Sequence, residues 1–82
     1  MKPCVTFNVG SAKSGLWALI PVTARGAEYF IVQASPGNAD IVSVNGAVIA
    51  PGEKRIMHRD QIRQAYVCGP DPAAEIRIWA VM

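Results

Sequence analysis

The chain has 82 residues, which is one domain with no room for a second core. Apolar residues make up 51% and charged residues 17%, so a domain this small cannot enclose all its apolar side chains; an apolar surface patch used in self-association or partner binding is expected. The formal charge of +2 is too small to point to nucleic acid by itself.

No apolar run reaches the roughly 18 residues needed to cross a bilayer. The opening "MKPCVTFNVG" carries one Lys and then alternates apolar with polar residues, unlike a secretory signal. A soluble, cytoplasmic chain with no membrane partner is expected. In that compartment Cys4 and Cys68 read as buried thiols on strands rather than a disulfide. Neither has a second Cys or a His at zinc-ligand spacing, so neither a metal site nor a cofactor is expected.

Period-2 alternation runs through the chain. Val5, Phe7 and Val9 alternate with Thr6 and Asn8, as in a strand with one buried face. "GSAKSG" follows as a small-residue loop. "LWALIPV" reads as a strand buried on both faces, with Pro21 at an edge or bulge. "EYFIVQA", aromatic and β-branched, is the clearest strand. After the "SPGNAD" turn, "IVSV" and "AVIA" flank Asn45-Gly46. That pair is the strongest short hairpin signal, because both central residues of a type I′ turn need positive φ. "PGEK" is a second turn, with Pro51 pre-set for its first central position. "RIMH" and "QIRQAYV" read as strands around Arg59-Asp60. "GPDPAA" is a rigid loop and "EIRIWAVM" a closing strand. About eight short strands, with turn signals every 8–12 residues or so, predict an all-β sandwich or partly open barrel over residues 1–82.

Motifs that carry chemistry are few. "HRD" at His58–Asp60 matches the start of a protein-kinase catalytic loop. The metal-binding Asn required five residues after the Asp is Ala65 here, and the chain is far too short for a kinase core. His58, the sole His, has no nucleophile motif beside it and reads as a strand-end residue. Asp60 reads as a turn residue whose carboxylate accepts backbone N–H bonds. Lys54, Arg55, Arg59 and Arg63 place four of the eight basic residues within ten positions, diluted by Glu53 and Asp60. They form either a solvated rim or an anion- and partner-binding patch. Single-strand nucleic-acid binding would add aromatic platforms, and only Tyr66 is near. Trp17 and Trp79 read as core residues.

The stretch from Tyr29 to Ile62 resembles the C-terminal half of a forkhead-associated (FHA) domain, in divergent form. "VNGAVI" (Val44–Ile49) matches that family's hairpin. "IMHRDQI" (Ile56–Ile62) matches its second turn element, with Arg59-Asp60 in place of Gly-Asp. The resemblance implies a β-sandwich that reads phosphothreonine peptides. Its phosphate-binding half is eroded here. Asp40-Ile41 stands where the first Asn-Gly would fall. "SGLWA" keeps only Ser14 of the "SRxHA" element. Lys13 and Arg25 are the remaining candidates for gripping phosphate.

The sequence therefore predicts a non-catalytic protein-interaction or assembly module with an FHA-like fold and a degenerate phosphopeptide site. A basic-patch nucleic-acid binder is the first alternative. A small structural subunit of a viral, phage or other homo-oligomeric assembly is the second.

Overall fold

A computed structural model describes residues 4–11 and 15–81. Among them are seven strands: β1 (Val5–Asn8), β2 (Tyr29–Ala34), β3 (Val42–Val44), β4 (Ala47–Ile49), β5 (Lys54–His58), β6 (Val67–Cys68) and β7 (Glu75–Val81). One short helix, α1 (Arg59–Arg63), follows β5 directly. The strands form two antiparallel sheets, ordered β1-β7-β2-β5 and β4-β3-β6. The fold is all-β, as expected, with seven strands rather than about eight and with no closed barrel.

Alternation decides which side chains meet between the sheets. In β2, Phe30, Val32 and Ala34 are buried; in β7, Ile76 and Ile78 are. They join Val42, Val44 and Ile49 of the smaller sheet in one core. The Asn45-Gly46 turn sets the register of β3 on β4: φ is 52° at Asn45 and 82° at Gly46, the type I′ pattern. A Cβ on Gly46 would meet nothing within 4 Å, so only the backbone resists substitution. Gly46→Val is therefore expected to destabilise the fold by roughly 1 kcal/mol or more, because a β-branched residue resists positive φ. Thermal denaturation measures this, and an unchanged Tm would contradict the turn. At Pro51-Gly52, φ of 84° at Gly52 and a 2.9 Å bond from Glu53 N to Ala50 O make a type II turn.

One expected strand is absent and another is shortened. "LWALIPV" and the two residues after it form two 3₁₀ turns, Trp17–Leu19 and Val22–Ala24, separated by Ile20 and Pro21. The buried apolar residues from this stretch onward to Ala27 are Leu16, Ile20, Ala24 and Ala27, a helical spacing rather than an alternating one. Pro21 lacks the N–H that one continuous helix would need. "QIRQAYV" is divided between α1 and the two-residue β6. His58 caps α1: its Nδ1 accepts from the N–H of Asp60, and Gln61 Oε1 accepts from the N–H of His58. This reciprocal capping box, with Ile62 driven into the core, outweighs strand propensity. Asp60 accordingly lies in the first turn of a helix, and the Asx-type role expected for it falls to His58. Both cysteines are free, but only Cys4 is half-buried; Cys68 is exposed on β6, contrary to expectation. Burial raises the pKa of the Cys4 thiol.

Candidate functional site: the outer face of the four-stranded sheet

In a two-sheet domain one face of each sheet builds the core and the other meets solvent, so the outward positions are normally polar. On the four-stranded sheet they are not. The register places Trp79 of β7, Ile31 of β2 and Ile56 of β5 side by side in one row across three strands. The next row holds Val81, Tyr29 and His58; the row on the other side holds Arg77, Gln33 and Lys54. Ile56 is 72% exposed, Val81 44% and Tyr29 43%, while Ile31 and Trp79 are half-buried by their neighbours. Here is the apolar surface that the composition requires. Trp79 belongs to it and not to the core, because its position in β7 has the parity opposite to Ile76 and Ile78.

The two ends of this face differ in charge. At one end the Lys54 ammonium lies 5.6 Å from the centre of the Trp79 ring, a contact worth about 0.5–1 kcal/mol at an exposed site. Lys54 makes no ion pair among the described residues. Gln33 beside it donates to Gly52 O at 3.4 Å, and Arg77 pairs with Glu75 at 2.9 Å. At the other end the His58 ring meets Tyr29 edge-on, with centroids 5.2 Å apart. Glu28 Oε1 lies 3.9 Å from its Nε2 and Asp60 Oδ2 lies 3.6 Å from its Nδ1. Because Nδ1 accepts the cap bond, the neutral ring carries its proton on Nε2, toward Glu28.

The basic run does not gather on one surface. Lys54 belongs to the outer face. Arg55 bonds to Val48 O at 3.2 Å and pairs with Glu53 at 3.6 Å, tying β5 to β4. Arg59 and Arg63 belong to α1, beyond the far end of β5 from Lys54. The Arg63 guanidinium lies 5.7 Å from the Trp17 ring centre, where Trp17 packs edge-on against the core residue Phe30. Arg63 also lines a shallow polar depression with Asp60 and Gln64.

Of the residues of the remnant phosphate site, only Arg25 is described. Lys13 and Ser14 lie outside the described residues. Arg25 sits 5.5 Å from the Trp17 ring centre and donates to Ile20 O at 3.1 Å and Trp17 O at 3.5 Å. Asn45 and Gly46 form the hairpin turn. Sequence reasoning missed Tyr29, Ile31, Ile56 and Trp79 as a group. The legible signal is that "EYFIVQA" and "EIRIWAV" carry large apolar residues at both parities, not one.

Among the described residues no three His, Cys, Asp or Glu side chains gather as a metal site, and no helix is long and apolar enough to cross a membrane. No protein-family model, no curated protein and no solved structure matches the chain, so the geometry of this face carries the functional argument by itself.

Proposed function

We propose that the chain is a non-catalytic protein-interaction or assembly module, and that the outer face of the four-stranded sheet is its binding surface. The observation that carries this reading is the Trp79–Ile31–Ile56 row: three large apolar side chains in register on a face the core does not use. Interfaces of this kind place aromatic and aliphatic anchors at the centre and polar groups at the rim, as Lys54, Arg77, Glu28 and Asp60 are placed here. The resemblance to FHA domains agrees with an interaction role, with the phosphopeptide site degenerate, since Arg25 is engaged by its own chain. The nucleic-acid alternative has less support, because the basic run parts between the outer face and α1.

A hydrophobic fluorophore such as bis-ANS tests the surface directly. At dilutions where the chain is monomeric, the native protein is expected to bind it with its near-ultraviolet circular dichroism intact. Ile56→Asp is expected to reduce that binding severalfold while changing stability by no more than about 0.5 kcal/mol, since the side chain is largely exposed. Equal dye binding by the variant would remove this face from consideration.

A further inference from the structure

We infer that the occupant of this face is a second copy of the chain, packed sheet against sheet about a two-fold axis that runs along the Trp79–Ile31–Ile56 row. The inference rests on the reading of the face as an interaction surface and names its partner. It follows from how the charges lie about that row. In β5, Lys54 stands two positions before Ile56 and His58 two positions after it. In register with them on β2 stand Gln33 and Tyr29, and on β7 Arg77 and Val81, equally disposed about Ile31 and Trp79. A two-fold axis along the central row exchanges these flanks. Lys54 of one copy then faces the His58 of the other, whose ring carries Glu28 on one side and Asp60 on the other.

The exchange joins opposite charges. At the Lys54 end, Lys54 and Arg77 outweigh Glu75 by one positive charge. At the His58 end, Glu28 and Asp60 outweigh the adjoining Arg59 by one negative charge on the formal count that leaves His out. Each copy offers both ends, so the arrangement is isologous and closes at two copies. On the axis Ile56 meets Ile56, Ile31 meets Ile31 and Trp79 meets Trp79. The apolar row supplies the attraction and the charged flanks set the register. A standard interface takes roughly 800 Å² from each partner, about a sixth of the 4647 Å² surface, which one side of a two-layer domain can supply.

Sedimentation equilibrium on the 8.8 kDa chain tests this, with two charge variants and one apolar variant. The wild type is expected to show a concentration-dependent monomer–dimer equilibrium, and Ile56→Asp to weaken it by at least about tenfold. Lys54→Glu is expected to weaken it alone, by setting the new carboxylate of each copy against the other's acids. The Glu28→Lys/Asp60→Lys double variant is expected to do the same with opposite sign. Mixed together, these two charge variants are expected to dimerise with each other more tightly than either does with itself. That rescue is the signature of the two-fold pairing; circular dichroism and thermal melts confirm that each variant is folded.

A wild type that remains monomeric at millimolar concentration overturns the second copy as occupant. Dye binding then separates the two failures: retained binding that Ile56→Asp reduces leaves the interaction face standing, and its absence removes both. A dimer indifferent to Ile56→Asp is formed elsewhere and overturns the inference. A dimer that depends on Ile56 but shows no rescue on mixing overturns the axis.

Discussion

Phe30→Ala is expected to destabilise the domain by about 3–5 kcal/mol, the cost of removing a large buried aromatic side chain. Phe30 has no exposed surface, sits on β2 between Met57 of β5 and Ala80 of β7, and meets Trp17 edge-on with ring centroids 6.4 Å apart. Its loss opens the core under the sheet and also deprives the 3₁₀ segment of the ring on which Trp17 rests. A chain of 82 residues commands only about 4–12 kcal/mol in total, so the variant is expected to melt tens of degrees lower or to be unfolded at ambient temperature. Urea denaturation checks the magnitude. Phe30→Leu, which keeps most of the volume, is expected to lose much less. A loss below about 1 kcal/mol for Phe30→Ala would mean that the ring is not in the core.

Arg25→Ala is expected to cost about 1.5–3 kcal/mol, through the loss of charge-assisted bonds to main-chain carbonyls. The guanidinium holds Ile20 O and Trp17 O together and covers the Trp17 ring, so it fastens the two 3₁₀ turns around Pro21. Arg25→Lys is expected to recover only part of the loss, because an ammonium cannot reproduce the planar fork that spans both carbonyls. Thermal melts of the two variants give the comparison. The same engagement predicts that phosphothreonine peptides titrate no more tightly than about millimolar, near −4 kcal/mol. A stable Arg25→Ala protein, or a micromolar phosphate-dependent complex lost with Arg25, would return that residue to ligand binding.

The hairpin and the two-sheet class were legible because their signals are local. Asn45-Gly46 needs only its own backbone to specify a type I′ turn, and "EYFIVQA" has no competing conformation of similar quality. The 3₁₀ segment was harder. "LWALIPV" has the composition of a buried strand, and only the spacing of Leu16, Ile20, Ala24 and Ala27 reveals the helical alternative. At α1 the N-cap is a His, a residue outside the usual Ser, Thr, Asp and Asn set, so the capping box with Gln61 is easily passed over. The basic run misled for a different reason. Four charges close in sequence cross from a strand into a helix, and that change of geometry sends Lys54 and Arg63 to different surroundings. The outer face requires the pairing of β5, β2 and β7. Its three central residues are far apart in the chain, and no local pattern joins Ile31, Ile56 and Trp79.

The order of strands also bears on synthesis. β7 is the last of the described strands to leave the ribosome, yet it stands between β1, the first, and β2. β1 pairs with β7 and with no other described strand, so it stays without a partner until translation of this segment is complete. Meanwhile β2 can pair with β5, and β3 with β4, as soon as each later strand emerges. Before β7 emerges the native pairings open to the chain are thus two partial sheets that leave Phe7 and Val9 uncovered, and the core can close only once β7 inserts. Any truncation, stall or cleavage before Glu75 leaves both β1 and the β7-facing edge of β2 open, making incomplete chains ready substrates for chaperones and proteases.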